Sequence, residues 1–254
     1  MSGGVESPQL ADDLRSPGRI GCIVVGVPAR DEKDRVERCL RSILAAADAL
    51  DPGIDVVVVL AADDCSDETE RIAGSLAAND PRLRVVSGCW RGAGAARAAA
   101  IADGLSSMRA SGLRAADTIW IATTDADTVV GPDWLLRQLT HADNGIDAVA
   151  GTVDLFDDAD RTDVVVATFA DNYLIGASTH LHVHGANLGI RGDAYLDVGG
   201  FPPIALAEDH AIWSLLEHEG YRCLSALDMA VSTSARLHGR ATGGFADTIA
   251  ALVG

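Results

Sequence analysis

The chain has 254 residues and carries 20 lysines and arginines against 37 aspartates and glutamates, which gives a formal net charge of −17. This acidic balance argues against nucleic acid or an anionic lipid surface as a partner, because both bind basic surfaces. Hydrophobic residues make up 48% of the sequence, enough for the core of one large domain.

The start of the chain predicts a flexible tail. Residues 1–19 are rich in Gly, Ser, Pro and Asp, without apolar periodicity and without the pattern of a signal peptide. The longest apolar runs, 20–27 and 56–62, have strand length and are too short to span a bilayer. The five cysteines are scattered without CxxC spacing, which argues against structural zinc and against a disulfide framework. We therefore expect a soluble, cytoplasmic protein with no integral membrane segment.

The rest of the chain, 20–254, predicts a single α/β domain. Strand-like runs GRIGCIVVGVP, IDVVVVLAA, LRVVSG and DTIWIATT alternate with stretches of helical spacing up to about residue 150. This order predicts a mostly parallel central sheet flanked by helices on both faces. The half over 151–254 is mixed α+β, with a strand-like AVAGTVDLF, a helix over 163–179 and a helix over about 207–219.

Polar clusters follow the strands of the predicted parallel sheet. Arg30-Asp31-Glu32, Asp63-Asp64 and Asp125-Ala126-Asp127 each come directly after a strand. In open α/β sheets, ligands bind beyond the carboxyl ends of the strands. These turns therefore predict one site at that edge.

The turn Asp125-Ala126-Asp127 is the strongest chemical feature. Two carboxylates two residues apart can share one hard cation, whose other positions then take phosphate oxygens. Such a metal would join an acidic protein to an acidic diphosphate. The alternative is an ordinary polar loop after a strand.

Two further turns are open to more than one interpretation. The carboxylates of 63–67 can contact a nucleoside base or ribose, or Ser66 or Asp67 can simply cap the following helix. The segment 92–97 resembles a Gly-rich dinucleotide turn, but Arg97 replaces its third glycine. Its small residues can instead let a loop close over a nucleotide, with Arg97 available for pairing.

The run His180-Leu181-His182-Val183-His184 places three imidazoles at alternate positions. On a strand they share one face, which suits either a transition metal or stacked, hydrogen-bonded histidines. No further ligands follow at matching spacing. We predict that His180 and His182 do not bind the catalytic metal. We also predict that His184 and Asn187 lie on the acceptor side of the site, where a second substrate would bind.

Two acidic or basic clusters complete the candidate residues. Glu208-Asp209 lies at a predicted helix start, where the helix dipole alone favours carboxylates. The Gly-flanked loop over 232–244 carries Arg236, His238 and Arg240. In so acidic a chain this loop can close over phosphates, or it can be a surface loop.

Six segments together resemble a family 2-type glycosyltransferase of the GT-A fold, in the nucleotide-diphospho-sugar transferase superfamily. They occur in the family's order across about 20–245. They are VPARDE (27–32), AADDCSDET (61–69), GAGAARAAAIADG (92–104), TTDADTVVGPDWL (123–135), GANLGIRGDAYLDVGGF (185–201) and AEDH (207–210).

The resemblance implies metal-dependent transfer of a sugar from a nucleoside-diphosphate sugar to an acceptor hydroxyl, with Mg²⁺ or Mn²⁺. It implies that 20–150 binds the donor and 151–254 the acceptor. Asp127 would bind the metal, with Asp125 near the ribose or metal and His238 completing the metal shell. The remaining donor contacts would come from Pro28, Ala29, Arg30, Glu32, Asp63, Asp64, Arg97, Arg236 and Arg240.

The resemblance also implies a catalytic base at Asp209, with Glu208 orienting the acceptor or the loop. His210 is the competing base, because an imidazole accepts a proton near neutral pH. Arg30-Asp31 departs from the family's usual residue-plus-Asn before Glu. The Q-x-x-R-W motif of processive members and following membrane helices are absent from the sequence, which favours single addition. The resemblance itself implies an inverting transfer.

Three alternatives stay open, and so does a homodimer. A retaining glucosyl-phosphoglycerate-type synthase looks similar. A sugar-1-phosphate nucleotidyltransferase would carry a basic Gly-rich loop where this chain has Pro28–Asp31. A catalytically silent binding module is the third, and the intact Asp125, Asp127 and Asp209 argue against it.

Overall fold

The computed structural model describes residues 18–110, 112, 115–156, 180, 182–204 and 206–234. Its strands are β1 (Cys22–Ala29), β2 (Asp55–Asp63), β3 (Leu83–Gly88), β4 (Ile119–Thr123), β5 (Thr128–Val130), β6 (Ala148–Phe156), β7 (Leu188–Arg191) and β8 (Cys223–Ser234). Its α-helices with described bounds are α1 (Val36–Asp48), α2 (Thr69–Ala77), α3 (Ala93–Ala110), α4 (Trp134–Asp143), α5 (Gly192–Asp197) and α6 (Glu208–His218). The helix predicted over 163–179 lies outside the described residues.

These strands form one sheet in the order β3-β2-β1-β4-β7-β6-β8-β5. The strands from β1 to β4 pair in parallel, as their alternation with helices predicts. In the other half β7 runs antiparallel to β4 and β6, and β5 runs antiparallel to β8. The sheet is therefore mixed, and the predicted division near residue 150 falls inside β6.

The central strand β1 shows why the sheet is covered on both faces. All eight of its residues are buried. Ile23 and Val25 belong to one apolar cluster, which includes residues of α1 and α4. Cys22 and Val24 belong to another, which includes residues of α3, α5 and α6. Alternate side chains of a strand point to opposite faces, so a continuous apolar run requires a helical layer on each side.

The segment after β4 contains a short strand before the next helix. The turn at 124–127 leads into the short β5, which pairs with the end of β8. The following helix begins at Trp134, two residues after Pro132. The chain first forms a turn in which the Gly131 carbonyl accepts the Trp134 amide at 3.1 Å. No helix in the described ranges has the length and apolarity needed to cross a membrane.

Candidate functional site

The acidic turn at 125–127 lies at the carboxyl edge of the sheet and is fixed by β8. The backbone amide of Ser234 donates to the Asp127 carbonyl at 3.2 Å, and the Thr233 hydroxyl donates to the Asp127 carboxylate at 3.3 Å. Asp127 is buried, whereas the Asp125 side chain is 38% exposed. The last described residue of β8 therefore adjoins the predicted metal site.

Arg97 connects this turn to the acidic pair at the start of α6. It extends from α3, is 2% exposed and donates from Nη2 to Asp125 Oδ1 at 2.8 Å and from Nη1 to the Glu208 carboxylate. Its guanidinium carbon lies 5.4 Å from the centre of the Phe201 ring. Burial disfavours the charged form, but the two carboxylates outweigh it and raise the pKa of Arg97. The structure thus brings Asp125, Arg97 and Glu208 into one cluster.

Two glycines make room for this cluster. A Cβ on Gly94 would lie 2.7 Å from the Glu208 side chain, and a Cβ on Gly185 would lie 2.5 Å from Arg97 Nη2. The sequence interpretation did not include these glycines or Phe201 in the site. The sequence signals that could have indicated them were the small residues of 92–97 and the G-G-F ending of the segment 185–201.

Asp209 has different surroundings from Glu208. Its carboxylate accepts backbone hydrogen bonds from Gly185 at 2.9 Å and His210 at 2.8 Å, and it is partly exposed. The residue before the pair, Ala207, has a left-handed φ of 58°. A non-glycine residue there carries local strain that the surrounding contacts must hold.

The three histidines stack along one side, as their alternation predicts. Ring centroids lie 6.3 Å apart for His180 and His182 and 5.7 Å apart for His182 and His184. His180 Nε2 lies 3.1 Å from the Ala150 carbonyl, so this nitrogen carries the proton, and Nδ1 accepts the His182 amide at 3.2 Å. Burial lowers the pKa of His184 from 6.5 to about 4, although the Asp209 carboxylate acts in the opposite direction.

The predicted base-contacting pair, Asp63 and Asp64, separates into two environments. The Asp63 carboxylate is buried and accepts the backbone amides of Trp90, Arg91 and Gly92 at 2.6, 3.0 and 3.0 Å. It therefore holds the loop between β3 and α3. Asp64 is 62% exposed, and its carboxylate lies 3.7 Å from the Arg30 guanidinium.

The loop after β1 is joined to the loop after β2. Asp31, with φ 54°, accepts the Ser66 amide at 2.7 Å, the Ser66 hydroxyl at 3.0 Å and the Asp67 amide at 3.2 Å. The Ser66 backbone bond is the main cause of the lowered pKa of Asp31. Glu32 is buried, and its amide donates to the Thr69 hydroxyl at 2.6 Å. Arg30-Asp31 stands where the family usually has a residue followed by Asn. The bonds of Asp31 to the loop after β2 give this difference a structural explanation.

Other predicted residues lie in the protein interior or beyond the described ranges. Pro28 and Ala29 are buried in β1. The fully buried Asn187 side chain accepts from Trp134 Nε1 at 2.9 Å and donates to the carbonyls of Thr152 and Met229 at 2.9 and 2.8 Å. Three predicted residues lie outside the described residues, namely Arg236, His238 and Arg240.

A family model described as glycosyl transferase family 2 matches residues 24–195, more than half of the chain. The chain belongs to glycosyltransferase family 2. The family and enzyme class predicted from the sequence are confirmed, which favours glycosyl transfer over the nucleotidyltransferase alternative. Comparison with curated proteins finds no match to this family 2 glycosyltransferase.

Solved structures confirm the predicted GT-A-like fold of this family 2 glycosyltransferase. TarS 1-349 from S. aureus aligns with a TM-score of 0.60 at 16% identity, over 85% of this chain and 61% of that one. The same TarS segment in complex with UDP aligns with a TM-score of 0.60 at 16% identity, over 86% and 61%. The mannosyltransferase PcManGT from Pyrobaculum calidifontis, in complex with GDP-Man and Mn²⁺, aligns with a TM-score of 0.59 at 21% identity, over 87% and 59%. The chain thus spans about 60% of the length of these solved chains.

The turn at 125–127 of this family 2 glycosyltransferase offers donors that fit a hard divalent cation. Both side chains are carboxylates, and Arg97 hydrogen-bonds only one oxygen of Asp125. Mg²⁺ is commonly held by one or two carboxylates together with substrate phosphates and water. Within the described part of the chain, no cluster of three or more His, Cys, Asp or Glu side chains is arranged to hold a metal. The chemistry of this donor set therefore fits a metal shared with a diphosphate.

Proposed function

We propose that this protein is a metal-dependent glycosyltransferase that moves a sugar from a nucleoside-diphosphate sugar to an acceptor hydroxyl, by a single inverting addition. The observation that carries this proposal is the contact of Arg97 with both Asp125 and Glu208. The predicted metal turn and the predicted acceptor-side acids, more than eighty residues apart in sequence, therefore lie next to each other. Family membership supports the same reaction class.

Asp127 and Asp125 would hold Mg²⁺ or Mn²⁺ at the donor diphosphate. The cation would neutralise the negative charge that develops on the diphosphate as it leaves. The Mn²⁺ and GDP-Man in the PcManGT complex support this assignment. Asp64 and Arg30 are exposed side chains on the loops that follow β2 and β1, and we propose that they contact the nucleoside.

Asp209 is proposed as the general base. Its partly exposed carboxylate is oriented by two backbone amides, whereas the Glu208 carboxylate is bonded to Arg97. Asp209 would take the proton of the acceptor hydroxyl while that oxygen bonds to the anomeric carbon, and the bond from that carbon to the diphosphate would break. His210 is exposed and is the competing base.

The C-terminal loop is proposed to complete the donor site. The chain passes Asp127 at Ser234. Four residues of extended chain reach at most about 14 Å, so His238 is within reach of a cation on this turn. We propose that His238 joins the metal shell and that Arg236 and Arg240 pair with the diphosphate.

Location and organisation follow from the same proposal. None of the five cysteines forms a disulfide, and all five lie within the described residues. Free thiols suit a reducing compartment, which supports a cytoplasmic location. The half over 20–150 would bind the donor and the half over 151–254 the acceptor.

A thermal-shift screen of UDP-, GDP-, ADP- and dTDP-sugars, each with Mn²⁺ and with EDTA, tests the function. The expected result is stabilisation by one nucleotide class in the presence of Mn²⁺. Release of free sugar and nucleoside diphosphate from that donor would then measure turnover to water. Equal stabilisation with EDTA, or none by any donor, would contradict the proposal.

A further inference from the structure

We infer that Arg97 is a positioning residue that fixes the carboxylates of Asp125 and Glu208 relative to each other, rather than a ligand of the diphosphate. The inference rests on the proposed glycosyl transfer and changes the role that the sequence suggested for Arg97. It makes Arg97 the connection between the donor side and the acceptor side of the site.

The first argument is access. Arg97 is 2% exposed, and both terminal nitrogens face carboxylates of the protein itself. Its Nε is also buried and has no hydrogen-bond partner. The Phe201 ring and Gly185 lie against the guanidinium. A phosphate could reach these nitrogens only by displacing a carboxylate that is already bound.

The second argument is charge. The carboxylates of Asp125, Glu208 and Asp209 all act electrostatically on Arg97. Glu208 is 8% exposed, so loss of the guanidinium would leave its charge buried beside two other acids. A buried charge without its counterion is strongly unfavourable. Without Arg97, the Glu208 carboxylate would turn away, and the start of α6 would lose its present geometry.

The third argument is shape. Arginine donates in two directions from a rigid plane, whereas lysine presents one point charge. The space that this plane needs is created by glycines in two separate motifs, Gly94 against Glu208 and Gly185 against Arg97. The amide of Gly185 also bonds Asp209. The same backbone therefore contacts both the guanidinium and the proposed base.

The test compares R97M, R97K, E208Q and the double variant R97M/E208Q with the unaltered chain. Calorimetry measures the affinity for UDP and for GDP with saturating Mn²⁺. Steady-state kinetics then uses the sugar donor that carries the nucleotide that binds, and measures the transfer of its sugar to water. R191K is the matched control, because Arg191 is equally buried but donates to the carbonyls of Gly18, Asp117 and Ala142 at the other end of β4 and β7.

We expect R97M to change nucleotide affinity less than about threefold, because Asp127 still binds the cation, and to lower kcat about 100-fold. E208Q should lower kcat similarly, and the double variant should be no slower than R97M, because residues that act as a unit are not additive. R97K should regain stability while its kcat stays at least about tenfold low. R191K should lose stability and keep kcat.

Three results would overturn the inference. They are a loss of affinity of about tenfold or more in R97M, losses in kcat that multiply in the double variant, and full activity in R97K. If R97M does not fold, R97K and R97K/E208Q provide the same cycle. Failure of the unaltered chain to bind any nucleotide with Mn²⁺ is a different outcome, since it would contradict the proposed function itself.

Discussion

Glu208 and Asp209 are neighbours in sequence, but their carboxylates have different partners. Arg97 bonds Glu208, while the backbone amides of Gly185 and His210 bond Asp209. Backbone amides orient a carboxylate and leave lone pairs for a proton. A guanidinium contact within a buried cluster instead occupies a carboxylate and fixes its position. The two acids therefore suit different tasks, although the sequence presents them as one motif.

The first prediction concerns Asp209. D209N should keep donor affinity and lose about 10²- to 10⁴-fold in kcat, because the amide cannot accept the acceptor proton. H210Q is the matched control, and it should keep most of the activity. Steady-state kinetics of both variants measures the difference. A folded D209N with near-native kcat, or a larger loss in H210Q, would assign the base elsewhere.

The second prediction concerns His184. Its pKa falls from 6.5 to about 4 on folding, so the unfolded chain binds more protons between these values. Stability is then fully present above about pH 6.5 and is lost as the pH falls toward 4. Lowering the pH from 7 to 5 should cost about 2 kcal/mol of unfolding free energy through this residue.

Urea unfolding of the unaltered chain and of H184N at both pH values measures this contribution. The variant should show a smaller loss of stability on acidification than the unaltered chain. Asp31, whose pKa is lowered, loses its contribution only at more acidic pH, so it does not affect this comparison. Equal losses in both proteins would contradict the assignment.

At the scale of elements, carboxylates hold the loops that follow the strands. Asp63 at the end of β2 bonds three consecutive amides of the loop before α3. Asp31 after β1 bonds the loop before α2. The carboxyl edge of the sheet is therefore rigid before any ligand binds, which lowers the ordering cost of binding.

The third prediction separates the two members of the Asp63-Asp64 pair. D63A should lower the unfolding free energy by roughly 2–3 kcal/mol, because three backbone amides lose the buried carboxylate that accepts their hydrogen bonds. D64N should change stability by less than about 0.5 kcal/mol, since its side chain is exposed and asparagine tolerates the left-handed φ of 52° at this position. In calorimetry D64N should weaken nucleotide binding if Asp64 contacts the nucleoside. Equal stability losses in both variants would contradict the separation.

The elements differ in how far the sequence could predict them. β1 to β4 and the acidic turns were predictable, because buried parallel strands are continuous apolar runs and polar residues end each of them. β5 was missed, since three residues before Gly131 give no periodicity. The Arg97–Glu208 contact spans 111 residues and joins two halves of a mixed sheet, which local patterns do not encode. Local patterns also do not encode the hydrogen bonds of Asp63, because its partners lie beyond β3.

At the scale of the molecule, one mixed sheet brings the two halves of the chain to one edge. β7 pairs with β4, so the segment before β7 lies beside the turn that follows β4. β8 pairs with β6 and β5 and ends beside that turn. Topology rather than any single motif therefore assembles the candidate site.

The fourth prediction follows from the net charge of −17 on the whole chain. An acidic protein repels a diphosphate, so binding should require a divalent cation at Asp127. D127A should lose the Mn²⁺-dependent affinity in calorimetry and resemble the unaltered chain in EDTA. D133A is the control, because it removes an equal charge from an exposed position on the same segment. Unchanged affinity of the unaltered chain in EDTA would rule the requirement out.

The close approach of Gly185 to Arg97 has a practical consequence. A single methyl group at this position would lie 2.5 Å from Arg97 Nη2, so either the guanidinium or the backbone that bonds Asp209 would have to shift. The G185A protein would then hold its nucleotide and its metal but turn over slowly. Such a protein is a means of trapping donor-loaded enzyme, on which candidate acceptors can be tested for binding without being consumed.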